Sequence, residues 1–158
     1  MYSAILISHG MRLDVKLTLL FNEDIYISFL SNMIRNLYPD MQSILGILRK
    51  AEIKLVKSSA NKYRISTGIY CGKINFNLLL HGEHKIFFNE TKGPPIEKTP
   101  ICDNFIFVIC YPYIDQKDMK FLLSRSAKPI RISSKYKLPG PILMIINNYV
   151  DKVTLKYD

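Results

Sequence analysis

Tryptophan is absent from this chain, glycine is sparse, and cysteine occurs three times, at Cys71, Cys102 and Cys110. An odd, small cysteine count without a secretory leader excludes a disulfide-stapled scaffold and points to a reduced compartment. The opening stretch MYSAILISHGM has an apolar patch, but it lacks a basic flank and soon meets His9-Gly10, so it does not read as a signal peptide. Long hydrophobic runs are missing too. The longest, such as Ile142 to Ile146, fall far short of the roughly 20 residues that a membrane-crossing helix needs. Neither common form of glycine-rich phosphate loop is present, so no cofactor is expected. Acidic residues are few and scattered, which leaves no paired carboxylates for acid–base work.

What is abundant is positive charge. Lys and Arg number 22 against 13 acids, a net charge of +9. Such a surface favours anionic partners: nucleic acid, an acidic protein or a charged membrane face. A hydrophobic fraction of 48% excludes a disordered chain, and 158 residues suffice for one core. The excess of Ile, Lys and Asn suggests an AT-rich coding source such as a virus, a parasite or an organelle plasmid.

The organising stretch runs from Arg12 to Tyr38. Leu13, Val15, Leu17 and Leu19 alternate with polar residues, predicting a half-buried strand. Phe29, Leu30, Met33, Ile34 and Leu37 then follow helical spacing, with Asp24 or Ser28 as a cap and Pro39 beyond the end. Asp40 caps a second helix over Met41–Leu48. Ala51–Lys57 alternates as a strand, and Tyr63–Leu80 followed by Lys85–Phe88 reads as an antiparallel meander with Gly68 and Gly72 at bends. Residues 89–100, with three prolines and a glycine, form an exposed loop. Phe105–Tyr111 is a buried strand and Asp115–Ser124 a short helix. Pro139-Gly140-Pro141 makes a turn, and Ile142–Ile146 and Val150–Tyr157 are closing strands. The expectation is a single α+β domain over residues 1–158, a mostly antiparallel sheet with two or three helices packed on one face.

Candidate chemistry is thin. His81, His84, Cys102 and Cys110 carry the right atoms for zinc at the wrong spacing, so no metal is expected. Cys71 with a nearby histidine lacks an identifiable base or oxyanion donors, and no catalytic residues are assigned. The strongest feature is basic: Lys117, Lys120, Arg125, Lys128, Arg131, Lys135 and Lys137 form a candidate site for anionic partners. Tyr136 within it can stack on a base. Gly93, Pro94, Pro95 and Ile96 are a candidate protein-contact loop, although Glu97 stands where a proline-proline-x-tyrosine motif requires tyrosine.

The order of elements resembles the matrix proteins of rhabdoviruses. A strand of the VKLTLLF kind leads into a helix, then AEIKLVK, then the meander YRISTGIYCGKINFNLLL and a proline-bearing loop, from Arg12 to about Phe88. The resemblance implies a small basic protein that self-associates, packs nucleocapsid against membrane and interferes with host functions. The lysine-rich N-terminal tail and the budding motif of that family are missing, which suits a matrix-related accessory protein. The resulting expectation is a non-enzymatic viral protein binding viral or host proteins, an anionic membrane or nucleic acid, and located in host cytoplasm, nucleus, membrane periphery or virion. The alternatives are a dedicated nucleic-acid-binding protein and an enzyme with an unrecognised site around Cys71, His81 and His84.

Overall fold

A computed structural model describes residues 2–154 apart from 8–9, 22–23, 36, 39, 58–60, 83, 102–103 and 133–137. The fold is α+β, and the chain divides into two compact units, Met1–Leu79 and Leu80–Asp158.

The first unit opens with helix α1 (Tyr2–Ile5) and a short antiparallel pair, β1 (Leu6–Ile7) with β2 (Gly10–Met11). Its main sheet is antiparallel in the order β3-β4-β6-β5, with β3 at Lys16–Leu20, β4 at Ile25–Leu30, β5 at Lys62–Ser66 and β6 at Ile69–Lys73. Strand β3 covers the second half of the strand expected over Leu13–Leu19, and the β5–β6 pair falls on the meander expected over Tyr63–Leu80. Lys85–Phe88, expected in the same antiparallel meander, instead belongs to a parallel sheet of the second unit.

The helix expected over Phe29–Leu37 is not formed. Phe29 and Leu30 end the central strand β4, and a single 3-10 turn, Ser31–Met33, follows. The reason is burial. Tyr26, Ile27, Ser28 and Phe29 are all buried between β3 and β6, so this strand shows no alternation. Its β-branched and aromatic residues IYISF were the better guide. Asp24 and Ser28 are likewise not helix caps. Asp24 takes a positive φ of 59° at the β3–β4 turn, where Phe21 N–H donates to the Ile25 carbonyl at 2.8 Å. The Ser28 hydroxyl pairs across the sheet with that of Thr18 at 2.9 Å.

Helix α2 (Met41–Lys57) does begin after Asp40, whose carboxylate accepts from the Ser43 N–H at 2.7 Å and the Ser43 hydroxyl at 3.0 Å. Those bonds hold the Asp40 carboxyl below its ordinary range. The helix does not stop at Leu48. It absorbs the segment Ala51–Lys57 expected as a strand, because Ile44, Ile47, Ala51 and Leu55 share one helical face and are turned inward. Beyond β6, residues expected to prolong the meander form the short helix α3 (Phe76–Leu79).

The second unit holds a parallel sheet in the order β8-β7-β9, from β7 (Lys85–Asn89), β8 (Phe105–Val108) and β9 (Lys128–Ile130). Helix α4 (Gln116–Ser124) connects β8 to β9, so the chain passes from one side of β7 to the other. Its start matches expectation: Asp115 caps it, accepting from the Asp118 N–H at 2.6 Å. The closing strands expected at 142–146 and 150–157 are replaced by helix α5 (Pro139–Thr154). Pro139 and Pro141 fall in its first turn, where a missing N–H removes no helical bond. Ile142, Ile146, Tyr149 and Val150 then repeat with helical spacing and pack with Phe87, Ile96, Ile101, Ile130 and Ile132. The proline-bearing connection 89–100 is partly interior, since Gly93, Ile96 and Thr99 are buried.

Candidate functional site

Three parallel strands ending at one edge, with the chain crossing from one side of the central strand to the other, create the place where open α/β sheets take ligands. Here that edge is formed by Asn89 and Glu90 after β7, Ile109 and Cys110 after β8, and Arg131 and Ile132 after β9.

Backbone hydrogen bonds stitch the β7 and β9 ends into one rim. Glu90 N–H donates to the Ile130 carbonyl at 2.9 Å, Arg131 N–H to the Pro94 carbonyl at 2.8 Å, and Ile96 N–H to the Arg131 carbonyl at 3.2 Å. The Asn89 side-chain oxygen accepts from the Ile132 N–H at 3.4 Å. Gly93 makes this approach feasible. A Cβ there would stand 2.9 Å from the Ile130 nitrogen and from the Pro129 carbonyl carbon. Farther along, the Tyr149 hydroxyl donates to the Thr99 carbonyl at 3.0 Å, tying α5 to the same connection.

The chemistry of the rim is mixed. Glu90 brings a carboxylate, one oxygen of which accepts from the Thr91 hydroxyl at 3.0 Å and the Lys92 N–H at 3.4 Å. Arg131 brings an exposed guanidinium, while Ile132 is buried and Ile109 half-buried. Burial, helped by Asp118 and Asp115, pushes the Cys110 thiol up to about 11, which keeps it in the unreactive thiol form near neutrality. Cys71, in the other unit, is fully buried and its thiol is also raised by burial. Only the thiolate reacts with alkylating agents. We therefore expect iodoacetamide labelling of Cys110, followed by peptide mass spectrometry, to be slow at pH 8 and to climb as pH approaches 11. Fast labelling near neutrality contradicts this assignment.

The expected anion-binding residues are dispersed. Lys117 and Lys120 are exposed on α4, Arg125 caps its end and donates from Nη2 to the Gly82 carbonyl at 2.9 Å, and Lys128 is exposed on β9. Of the five that are described, Arg131 is the one at the rim; Lys135, Lys137 and neighbouring Tyr136 lie outside the described residues. In the loop expected to contact proteins, Pro94 is exposed and Pro95 half-buried, whereas Gly93 packs on β9 and Ile96 joins the core. His81 and His84 are exposed, and Cys102 lies outside the described residues. Asn89, Glu90, Ile109 and Ile132 were missed as site residues. Their signal was available in the apolar runs KIFF and FIFV, which, with a helix following the second, spell strands of a parallel sheet.

A family model described as putative SAM-dependent RNA methyltransferase matches residues 1–155. A tRNA (pseudouridine(54)-N(1))-methyltransferase from Methanococcus maripaludis is 27% identical over 163 residues, spanning 96% of this chain and 81% of that protein. The crystal structure of Archaeoglobus fulgidus Nep1 bound to S-adenosylhomocysteine shares the fold, with a TM-score of 0.69 at 11% identity over 93% of this chain. This chain spans 66% of that structure's length.

These findings overturn the resemblance to rhabdovirus matrix proteins and to a matrix-related accessory protein, and with it the reading of a non-enzymatic viral protein. The elements that carried the resemblance are themselves different: its helix at 29–37 is strand β4, and its strand AEIKLVK is the end of α2. Of the expected partners, nucleic acid agrees with a family of RNA-modifying enzymes. The viral partners and the virion lose their only support. Among the described residues no helix is long and apolar enough to cross a membrane.

Proposed function

The chain belongs to the family of putative SAM-dependent RNA methyltransferases, and from that membership we propose that it transfers a methyl group from S-adenosylmethionine to N1 of pseudouridine in tRNA. The observation that carries the reading is the family match over residues 1–155. The archaeal relative named for this reaction, aligned over 96% of the chain, supports the choice of acceptor.

The acceptor chemistry is selective by itself. N1 of uridine is bonded to the ribose, whereas pseudouridine is joined through carbon and keeps an N1–H. In the transfer an N1–CH3 bond forms, the S–CH3 bond breaks, the sulfonium becomes a thioether, and the N1 proton is released. What S-adenosylmethionine supplies when bound is an electrophilic methyl group.

The residues at the strand ends suit that molecule. The guanidinium of Arg131 complements an amino-acid carboxylate and the carboxylate of Glu90 complements an ammonium group. Half-buried Ile109 and the exposed ring of Pro94 offer apolar surface for a purine. The stitched backbone holds these groups before any ligand arrives, which lowers the ordering cost of binding. A net charge of +9 favours a polyanionic substrate.

Two transcripts of one tRNA, with pseudouridine or uridine at the target position, test the acceptor. After incubation with the full chain and S-adenosylmethionine, nucleoside mass spectrometry should find N1-methylpseudouridine from the first and no methylated nucleoside from the second. Methylation of the uridine transcript overturns the choice of acceptor.

A further inference from the structure

The first unit has a groove of its own, about 550 Å³, lined by Asp24, Tyr26, Asn61, Lys62, Lys73, Ile74, Asn75 and Leu78. Sheet register places two of these residues, Tyr26 and Lys62, in line. Tyr26, Gly72 and Lys62 form one row across β4, β6 and β5, with Gly72 in the middle. Partners in such a row project from the same face. Gly72 lets the Asn61 backbone and the Tyr26 ring close over it: a Cβ there would collide with the Asn61 carbonyl and stand 2.9 Å from that ring, so both groups are held at the wall of the groove. The end of the groove is fixed by the Ile74 N–H, which donates to the Asp24 carbonyl at 2.7 Å, and by Asn75, whose side-chain oxygen accepts from the Asn77 N–H at 2.9 Å at the start of α3.

We propose that this groove binds a single-stranded segment of the RNA substrate. The lysines would hold phosphates, and a base would lie against Tyr26, Ile74 and Leu78. Both lysines are exposed, and the Lys62 Nζ lies over the Tyr70 ring, 4.6 Å from its centroid. Leu78 is 63% exposed, an apolar side chain available to a base face. The Asn61 and Asn75 amides match the mixed donors and acceptors of a base edge. Asp24 decides against a bare anion, which its carboxylate would repel. A nucleotide brings N–H and 2′-hydroxyl donors that a carboxylate accepts, together with the phosphates that the lysines need. The choice of RNA rests on the methyltransferase reading; the groove does not.

The test is fluorescence anisotropy of a short labelled single-stranded RNA across a salt series, with the full chain and without S-adenosylmethionine. Removing one lysine that neutralises a phosphate should reduce the slope of log K against log salt by about 0.7 for single strands. The double variant Lys62→Gln/Lys73→Gln should therefore lose about 1.4 from that slope. Lys73→Gln alone, which leaves the Lys62–Tyr70 pairing intact, should lose about 0.7. Lys117→Gln/Lys120→Gln on α4 should leave the slope unchanged. An unchanged slope in the Lys73→Gln variant, or an equal fall in the α4 variant, overturns the groove. So does competition by polyglutamate as effective as that by unlabelled RNA. If methyl transfer occurs and the slopes do not change, the groove alone is wrong; if the slopes change and no RNA is ever methylated, the methyltransferase reading is wrong.

Discussion

Replacing Gly93 with valine is expected to destabilise the chain by about 3 kcal/mol, toward the upper end of the usual cost of overpacking. For a protein of this size that lowers the melting temperature by roughly 10 °C. The cost is high because the new Cβ would meet backbone atoms, 2.9 Å from the Ile130 nitrogen and the Pro129 carbonyl carbon. A flexible side chain can swing away from such an approach; these atoms belong to strand β9, paired with β7, and have no free direction to move. If the strand does give way, the bonds from Arg131 N–H to Pro94 and from Ile96 N–H to Arg131 are the first to suffer, and the rim of the candidate cofactor site opens. Thermal melting followed by circular dichroism reads the first effect, and calorimetry with S-adenosylhomocysteine at a temperature where the variant is folded reads the second. Wild-type behaviour in both would mean that the connection after β7 does not press on β9.

Charge reversal at Arg131 separates binding from folding. The side chain is exposed while its N–H and carbonyl are both engaged, so Arg131→Glu changes the charge of the rim and leaves its backbone in place. The variant should melt within a few degrees of wild type and bind S-adenosylhomocysteine at least tenfold more weakly, a difference of about 1.4 kcal/mol. An exposed ion pair alone is worth less than that. The larger figure is expected because the glutamate repels the ligand carboxylate in addition to removing the attraction. Lys128→Glu, three residues away and equally exposed on β9, should cost little. Equal losses in both variants would indicate a diffuse charge effect, and the assignment of Arg131 to the ligand would fail.

Parts of this architecture were legible from the residues. Leu17 and Leu19 alternate with Lys16 and Thr18, the pattern of a strand with one face turned inward, and β3 forms there, although Leu13 and Val15 precede it. Asp40 announced α2 because an aspartate before a helix satisfies otherwise unpaired N–H groups, and the apolar spacing within Asp115–Ser124 announced α4. The failures share a cause. Strand β4 is covered on both sides, which erases the period of two, and its apolar positions then imitate a helix. The end of α2 made the opposite error, since Ile53 and Leu55 alternate over a span too short to distinguish strand from helix. Helix α5 was hidden by β-branched residues, PILMII, whose local preference for strand is overridden by packing on Ile96 and Phe87.

The candidate site was less visible still. Its groups come from the ends of three strands separated by up to about forty residues, and the backbone bonds that hold them together are announced by no residue type. The absence of a glycine-rich phosphate loop does not speak against a family described as SAM-dependent, because S-adenosylmethionine carries no phosphate. Arg131 was selected for its charge within a basic run. Its neighbours at the rim, Glu90 and Asn89, were read as the beginning of a loop because the parallel pairing of β7 with β9 cannot be seen from either segment alone.

The most direct test of the whole account is transfer of a labelled methyl group. The full chain would be incubated with S-adenosylmethionine tritiated on the methyl and with total tRNA. Label should accumulate in acid-precipitable material that ribonuclease releases, and should be lost when the chain is omitted or when excess S-adenosylhomocysteine is added. A folded chain that binds S-adenosylhomocysteine yet leaves no label in any RNA would contradict the central claim.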